Sequence, residues 1–227
     1  SPVSATPYTI QGSKGQMSAL NYSFSFVDGG MMINKAPLTL KVVDTSRIYG
    51  EENPQWAVDY QGLKNGETRA TSDLQGEPEF SFSVDKASDV NTYAVSLSNL
   101  EGISSNNYSL STLPGTLTVK KAKVDVTALD AERIYGDPDP EFHFTVSNFK
   151  NGQTWGDSVV TGAPQFIPAA NILDSVGSYD LNLGTGSLSS GNYDFNLIKG
   201  NLTINKASLL AKAERSEEHT SELQSRE

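Results

Sequence analysis

Apolar side chains alternate with polar ones along most of this chain. Residues 38–42 read Leu-Thr-Leu-Lys-Val, with leucine or valine at every second position. This period of two is typical of a strand that buries one face, and it differs from the 3.6-residue period of a helix. Six segments with the pattern recur within one stretch of about 85 residues, at 38–42, 56–60, 80–84, 93–97, 108–110 and 117–119. The pattern predicts a mostly β protein with little helix.

The whole pattern returns in a second copy. Lys35-Ala36 recurs as Lys121-Ala122 and again as Lys206-Ala207, so the copies are spaced by 86 and then 85 residues. The sequence Arg-Ile-Tyr-Gly at 47–50 recurs in the same way at 133–136. Because the apolar positions keep their phase, we expect the same face to be buried in both copies.

The repeat divides the chain into five parts. Two complete copies span residues 36–121 and 122–206, which we call the first copy and the second copy. Residues 1–35 match the C-terminal part of a preceding copy, and residues 207–214 match the start of a further one. Residues 215–225 break the pattern and resemble the conceptual translation of a short-read sequencing adapter. We therefore interpret 215–227 as an artefactual tail and exclude it from the fold.

Turn-forming residues separate the predicted strands. Asn65-Gly66 and Asn151-Gly152 can adopt the positive φ angles that tight turns need. Residues 68–74 and their equivalents 154–160 could hold one or two helical turns. Copies are joined by very few residues, since only Asn-Lys-Ala-Pro at 34–37 separates two predicted strands. Tandem small β modules in an elongated array are the expected result. If the first and last strands of a copy lie side by side and parallel, the chain enters and leaves each module at opposite poles.

Composition narrows the classes of partner and chemistry. The chain has 227 residues, with 17 Lys plus Arg against 27 Asp plus Glu, a formal charge of -10. Such acidity argues against nucleic acid or an anionic membrane surface as a partner. No apolar run approaches the roughly 18 residues of a membrane span, so we expect no membrane contact by this segment. The absence of cysteine excludes disulfides, thiolate catalysis and Cys-type zinc sites.

Several motifs together point to one family. Each copy combines the Lys-Ala start, Arg-Ile-Tyr-Gly followed by an acidic residue, a Lys-Asn-Gly turn, and a closing Asn-Tyr with Gly-x-Leu-Thr. This combination resembles the MBG repeat of the Tyr-Gly-x type, a tandem building block of large bacterial surface and secreted adhesin-like proteins. The resemblance implies a relationship to mucin-binding repeats, a β-grasp-like fold with an Ig-like sandwich as the alternative, and an extracellular or bacterial cell-surface location. It defines no ligand-contacting residue, so it does not imply mucin binding by this chain.

Candidate catalytic and metal-binding residues are few. His143, the one histidine outside the adapter-like tail, alternates with Phe142 and Phe144 and is predicted to be a solvated strand residue. Phosphate-loop, dinucleotide and zinc-protease motifs are absent, so we expect neither an enzyme nor a cofactor. Asp137, Asp139 and Glu141 present alternating carboxylates that a Ca²⁺ ion could use. An ordinary acidic turn is favoured there, because two prolines intervene and the first copy has Glu-Glu-Asn instead.

Three aromatic residues are candidates for ligand binding. Tyr49 and Tyr135 recur in both copies and could form a platform for a sugar, but packing against the neighbouring repeat is favoured because ligand sites need not recur. Trp155 stands where the first copy has Arg69, so the fold does not require it. An exposed tryptophan there could touch a ligand, although a partly buried loop anchor is favoured.

These observations predict a non-enzymatic structural and adhesive module, acting as a stalk or spacer for a binding domain. Its expected partners are neighbouring repeats of the same chain, together with host or surface glycans and glycoproteins. The alternative is a lectin-like module in which the repeats themselves bind mucin-type glycans.

Overall fold

The computed structural model describes residues 2–157 and 159–213. The described part of the chain divides into two compact units, which are treated separately below. The first unit comprises the described residues of 1–124, 148–161 and 189–194. The second comprises the described residues of 125–147, 162–188 and 195–227. The first unit therefore contains the whole first copy together with three segments of the second copy, namely the described residues of 122–124, 148–161 and 189–194.

Sixteen strands and one short 3-10 helix are present among the described residues. They are β1 (Tyr8–Ile10), β2 (Gly29–Met31), β3 (Ala36–Val42), β4 (Thr45–Ile48), β5 (Val58–Gln61), β6 (Phe80–Ser81), β7 (Thr92–Leu97), β8 (Tyr108–Leu113), β9 (Gly115–Lys120), β10 (Ala122–Ala128), β11 (Ala131–Ile134), β12 (Phe144–Ser147), the 3-10 helix Trp155–Asp157, β13 (Gln165–Pro168), β14 (Gly177–Gly184), β15 (Tyr193–Ile198) and β16 (Gly200–Asn205).

Each copy forms two small sheets. In the first copy a three-stranded sheet has the order β5-β3-β8, and a four-stranded sheet has the order β4-β9-β7-β6. The second copy repeats both orders, as β12-β10-β15 and β11-β16-β14-β13. A mostly β protein built from tandem small β modules is thereby confirmed. Each copy thus contains two sheets and no α-helix among the described residues.

Two long parallel segments run through both sheets of the first copy. Strand β3 pairs in parallel with β8, and β4 pairs in parallel with β9. The partners are 72 residues apart throughout, as in Thr39 with Ser111 of one sheet and Asp44 with Thr116 at the crossing between sheets. Segment β3–β4 therefore lies beside segment β8–β9 over its full length, with both bending from one sheet into the other. In the second copy β11 and β16 are also parallel, 71 residues apart.

The predicted number of strands per copy was wrong by one. Seven strands form rather than six, and the missed strands are β4 and β11. Neither shows the expected apolar alternation, because arginine faces inward and isoleucine outward in both. The first strand β3 and the last strand β9 lie in different sheets, so they are not direct neighbours. The parallel partner of β3 is β8, and the parallel partner of β9 is β4.

The core of the first unit lies on the predicted face. Leu38 and Leu40 of β3 are fully buried and pack with Leu74, Ile103 and Tyr108. Apolar burial of this kind contributes about 25 cal/mol per Å² and provides the stability that a chain without disulfides requires. In the second unit Ala170, Leu202 and Ile204 form a cluster with Phe142 and Tyr179 against it.

The predicted turns are confirmed. Asn65 and Asn151 have φ angles of 56° and 55°, and Gly66 and Gly152 follow them at 73° and 71°. Of the two segments expected to hold a helical turn, one contains the 3-10 helix Trp155–Asp157. The other is a turn in which the Ser72 N–H donates to the Thr68 carbonyl at 2.9 Å.

The remaining parts of the chain contribute little regular structure. Within residues 1–35, β1 and β2 form an antiparallel pair. The predicted adapter-like tail at 215–227 lies outside the described residues. In the described ranges no helix has the length and apolar character needed to cross a membrane. The five-part division of the chain stays a prediction.

Candidate functional site

A buried arginine anchors the Arg-Ile-Tyr-Gly motif of the first copy. The side chain of Arg47 is only 5% exposed. Its Nε donates to Asn53 Oδ1 at 2.9 Å, and its two Nη groups donate to the carbonyls of Ile48 and Asp85. Asn53 in turn donates to the Val84 carbonyl at 2.8 Å. These bonds connect strand β4 to the loop that follows β6. They also provide acceptors for the buried guanidinium cation, which would be costly to bury without hydrogen-bond partners.

The second copy has the same arrangement with a carboxylate in place of the amide. Arg133 is 6% exposed, and its Nε donates to Asp139 Oδ1 at 2.8 Å. Its Nη groups donate to the carbonyls of Asn171 and Ile172 at 2.6 and 3.4 Å. Sequence reasoning missed both arginines, since a charged residue is not expected on the inward face of a strand. The signal that could have revealed these buried arginines is that arginine recurs at the same position of both copies.

Within the first unit, the tyrosine of the motif packs against the second copy. Tyr49 is 2% exposed, and its ring meets that of Tyr193 edge to face, with centroids 5.5 Å apart. Gln153 connects the two hydroxyl groups, because its Nε2 donates to Tyr49 at 3.0 Å and its Oε1 accepts from Tyr193 at 2.7 Å. The Lys150 N–H donates to the Tyr193 hydroxyl at 2.9 Å. We call this group, with Gly50, the tyrosine joint.

Gly50 allows the two copies to approach closely at the tyrosine joint. Its φ angle is +82°, which favours glycine, and a Cβ added there would overlap the Cβ of Lys150. The adjacent chain connection is short, since a single residue separates β9 from β10. The Tyr-Gly pair therefore serves close packing between copies.

A second set of hydrogen bonds strengthens the same contact. Asn192 Oδ1 accepts from the Val90 N–H at 2.9 Å, and Asn192 Nδ2 donates to Asp89 Oδ1 at 2.7 Å. Within the second copy, the Asn192 carbonyl also accepts from the Ala122 N–H at 3.0 Å. Asn192-Tyr193, the closing Asn-Tyr of the second copy, thus binds the first copy through both side chains.

The surroundings of Tyr193 shift the pKa of its hydroxyl upward from the ordinary value. Burial raises its pKa, although the hydrogen bond from Lys150 acts in the opposite direction. In the first copy the Lys64 N–H lowers the pKa of the equivalent Tyr108, but the bond to Glu67 and burial outweigh it and raise the pKa. Tyrosine is protonated at neutral pH even without such a shift, and the two hydroxyls donate to Glu67 and to Gln153.

The family model of the MBG domain (YGX type) matches residues 38–118 and 124–203. The chain belongs to this family. The two matches cover more than two thirds of the chain, and each contains one Arg-Ile-Tyr-Gly motif. A search among curated proteins found no match. In the first MBG repeat, the tyrosine and glycine of the motif, Tyr49 and Gly50, form one side of the tyrosine joint.

The equivalent tyrosine of the second MBG repeat is exposed. Tyr135 is 43% exposed, although its N–H donates to the Asn205 carbonyl at 2.8 Å just as that of Tyr49 donates to Lys120. Gly136 has a φ angle of +87°, and a Cβ added there would meet no atom within 4 Å. The turn at Tyr135-Gly136 has the same backbone conformation as the turn at Tyr49-Gly50, but its outer surface is exposed to solvent.

The other predicted site residues do not converge. Asp139 binds Arg133, while Asp137 and Glu141 are exposed. Among residues 2–157 and 159–213, no group of three His, Asp or Glu side chains is placed to hold a metal ion. His143 is exposed, as predicted, and its carbonyl accepts from the Leu129 N–H. Trp155 begins the 3-10 helix and is half-buried.

Proposed function

We propose that this chain is a non-enzymatic spacer of a bacterial extracellular or cell-surface adhesin-like protein, in which tandem MBG repeats carry a binding domain. The observation that carries the proposal is the parallel pairing of β3–β4 with β8–β9 in the first copy. The copy begins at the start of β3 and ends at the end of β9. Tension along the chain pulls these parallel segments in opposite directions, so all of their ladder hydrogen bonds share the load.

Two further features support a load-bearing role. A single residue separates β9 from β10, and the tyrosine joint holds the two copies in contact there. Both features limit how far the connection between the copies can extend. The net charge of -10 favours solubility and keeps neighbouring molecules apart at low salt.

Force spectroscopy can test the direction in which the first copy resists load. The chain has no native cysteine, so paired cysteines define the points of attachment. Asn34→Cys with Lys121→Cys loads the two parallel segments in shear. Asn34→Cys with Asn106→Cys pulls the adjacent starts of β3 and β8 apart, which breaks the same bonds one at a time. All three positions are exposed.

We expect the shear pair to unfold at a clearly higher force than the unzipping pair. Pulling the whole chain by its ends should give two events, each releasing about 300 Å for 85 or 86 residues at about 3.6 Å per residue. Equal forces in the two directions, or one smooth extension at low force, would contradict the spacer proposal.

Direct glycan binding is the alternative, and one observation favours it. Tyr135 presents an exposed aromatic ring, the kind of surface that stacks on sugars. A mucin-glycan array with the parent chain, Tyr135→Ala and Trp155→Ala separates the two proposals. The spacer proposal predicts no binding by any of the three proteins. Binding that is lost in one variant would identify a lectin-like module.

A further inference from the structure

A cavity lies beside the tyrosine joint, where the two complete copies meet inside the first unit. Its volume is about 470 Å³. The end of β4 with the turn after it, the start of β10 and the loop after β12 form its wall. They contribute Ile48, Glu51, Lys123, Phe149 and Lys150, among others. We call this space the joint cavity. Both copies that border it are present, so its wall is fully formed.

The apolar part of the wall is held in place by the tyrosine joint. The ring of Phe149 meets that of Tyr193 edge to face, with centroids 5.5 Å apart, and stays half-buried. Ile48 faces outward from β4 and is 41% exposed. An aromatic ring and an aliphatic side chain fixed in this way provide an apolar surface for the flat face of a sugar ring.

The polar part of the wall is mostly cationic, in contrast to the acidic chain as a whole. Lys121, Lys123 and Lys150 line the joint cavity together with a single carboxylate, that of Glu51. The Nζ of Lys121 lies 3.7 Å from Asp194 Oδ1 and is therefore already paired. Among the described residues, neither Lys123 nor Lys150 forms an ion pair with a carboxylate. Both ammonium groups are therefore available to an anion.

Comparison of the two copies indicates that part of this wall is not required by the fold. Lys123, Asn148 and Phe149 all line the joint cavity, and they stand where the first copy has proline, glycine and leucine. Asn148 and its equivalent Gly62 both have positive φ angles, 67° and 117°, a conformation that glycine adopts at least cost. The joint cavity therefore contains three side chains that the repeat itself does not need.

We propose that the joint cavity binds uronic acid residues of an acidic polysaccharide. The sugar carboxylates pair with Lys123 and Lys150, and a sugar ring lies against Phe149. A sugar hydroxyl donates to the carboxylate of Glu51, which is held in place because its Oε2 accepts from the Ile48 N–H at 3.1 Å. This inference goes beyond the proposed spacer function, because the joint between repeats then has a ligand of its own.

The composition of the wall favours this ligand over other candidates. An inorganic phosphate would meet the lysines, but it would bring negative charge beside Glu51 and leave Ile48 and Phe149 uncovered. A neutral sugar would leave both available lysines without a partner. A sialylated mucin-type glycan ends in a single carboxylate, whereas successive uronic acids offer one carboxylate to each lysine. A uronic acid chain therefore uses every part of the wall.

An NMR titration of the full chain tests the proposal. The ¹⁵N-labelled chain is titrated with trigalacturonate up to about 10 mM, ten times a dissociation constant of about 1 mM. We expect saturable shifts at the amides of Lys123, Asn148 and Phe149. Binding should weaken as salt is added, because the ion pairs are open to solvent. The methyl ester of trigalacturonate and maltotriose, both neutral, should cause no saturable shifts.

Variants of the wall show which groups bind. Lys123→Gln should weaken binding about 2- to 5-fold through loss of one ion pair. Phe149→Leu introduces the residue of the first copy, so it should keep the fold while weakening binding about 2- to 10-fold. Lys199→Gln removes an equal charge at an exposed position outside the joint cavity and should bind like the parent chain. Urea unfolding followed by tryptophan fluorescence checks that each variant is folded.

Several results would overturn the proposal. They are the absence of saturable shifts at the highest concentration, equal shifts with the methyl ester, and equal weakening by Lys123→Gln and Lys199→Gln. Tighter binding of sialyllactose than of trigalacturonate would also overturn it, and would support the lectin-like alternative instead. None of these results bears on the force at which the first copy unfolds, so the ligand and the spacer function are tested separately.

Discussion

At the scale of single residues, the inward arginine organises each repeat. Arg47 and Arg133 are buried at the same position, and each uses both its Nε and its Nη groups. The acceptor for Nε is an amide oxygen of Asn53 in one copy and a carboxylate oxygen of Asp139 in the other. The planar guanidinium suits such a site, because its donors point in fixed directions toward several acceptors.

Replacing Arg47 with methionine should destabilise the first unit by about 1–3 kcal/mol. The substitution keeps much of the volume but leaves the Asp85 carbonyl and Asn53 without their donor. Both tryptophans, Trp56 and Trp155, lie in the first unit, so urea unfolding followed by their fluorescence reports on it. Asn53→Asp is the control, and should stay within about 1 kcal/mol because Asp139 shows that a carboxylate fits. A neutral effect of Arg47→Met would mean that these bonds do not stabilise the repeat.

Asp73 should make the first unit sensitive to acid. Partial burial raises the pKa of Asp73, but hydrogen bonds from Ser105 Oγ and the N–H groups of Asn106 and Asn107 outweigh it, so the pKa lies below its ordinary value of 3.8. A pKa lowered by folding stabilises the protein above the unfolded value, and that stability is lost as pH falls through the folded value. We expect the urea concentration at the midpoint of unfolding to decrease as the pH is lowered below about 4.

Asp73→Asn is the variant that checks this. It should lower stability at pH 7 by about 1–2 kcal/mol, because both carboxylate oxygens accept hydrogen bonds and the amide replaces one of them with an NH2 group that cannot accept. Its urea midpoint should then change less than that of the parent chain between pH 5 and pH 3. Asp28→Asn, at an exposed carboxylate, should leave both quantities unchanged. An identical pH profile for Asp73→Asn and the parent would exclude Asp73 as the source.

At the scale of the strands, one glycine allows the two parallel segments to bend together. Gly115 begins β9, directly after Pro114 and the end of β8. A Cβ added at Gly115 would overlap the carbonyl of Val42, at the end of β3. Gly200 has the same relationship to Ala128 in the second copy. The glycine of the Gly-x-Leu-Thr motif is thus required by backbone packing where both segments pass from one sheet to the other.

Gly115→Ala should destabilise the first unit by about 1–3 kcal/mol, because the added methyl must displace backbone atoms of β3. Tryptophan fluorescence in a urea titration measures the change. Gly102→Ala is a matched control in the same copy, since a Cβ there meets no atom within 4 Å. Its effect should stay within about 0.5 kcal/mol. Equal effects of the two substitutions would argue against the close crossing.

At the scale of the whole molecule, the MBG motif provides contact between copies as well as structure within each copy. Tyr49 belongs to the first copy by sequence, yet its ring and hydroxyl contact Tyr193 and Gln153 of the second. Repeat proteins are stabilised by such nearest-neighbour contacts in addition to the stability of each repeat. Among the described residues Tyr49 makes such a contact, whereas the equivalent Tyr135 is exposed.

Tyr49→Ala and Tyr135→Ala form a matched pair that tests this. Tyr49→Ala should destabilise the first unit by about 2–4 kcal/mol through loss of a buried aromatic contact and a hydrogen bond. Tyr135→Ala should leave the tryptophan-reported transition within about 0.5 kcal/mol of the parent, because Tyr135 is exposed. Hydrogen exchange should show faster exchange at residues 149–153 in Tyr49→Ala alone. Similar stability of both variants would contradict a stabilising tyrosine joint.

The local features of the fold could be read from the chain itself. The alternation at 38–42, the Asn-Gly turns and the 85- to 86-residue repeat depend on short-range sterics and on which face meets water. Strands β4 and β11 could not be found in this way, because the residue facing inward is an arginine whose acceptors lie up to 39 residues away. For Tyr49 the sequence left two alternatives, a platform for a sugar and packing against a neighbouring repeat, and it favoured packing. It did not reveal which residues Tyr49 would contact.

The sequence by itself determined the β class, the repeat, the turns and the membership of the MBG family, since each is encoded in spacing and residue type within one copy. Only the tertiary structure decided that arginine is buried, that glycine marks the bend between sheets, and that Tyr49 is covered while Tyr135 is open. These properties depend on atoms brought together from distant parts of the chain. The covering of Tyr49 also requires a second repeat, and periodicity within one repeat carries no information about that contact.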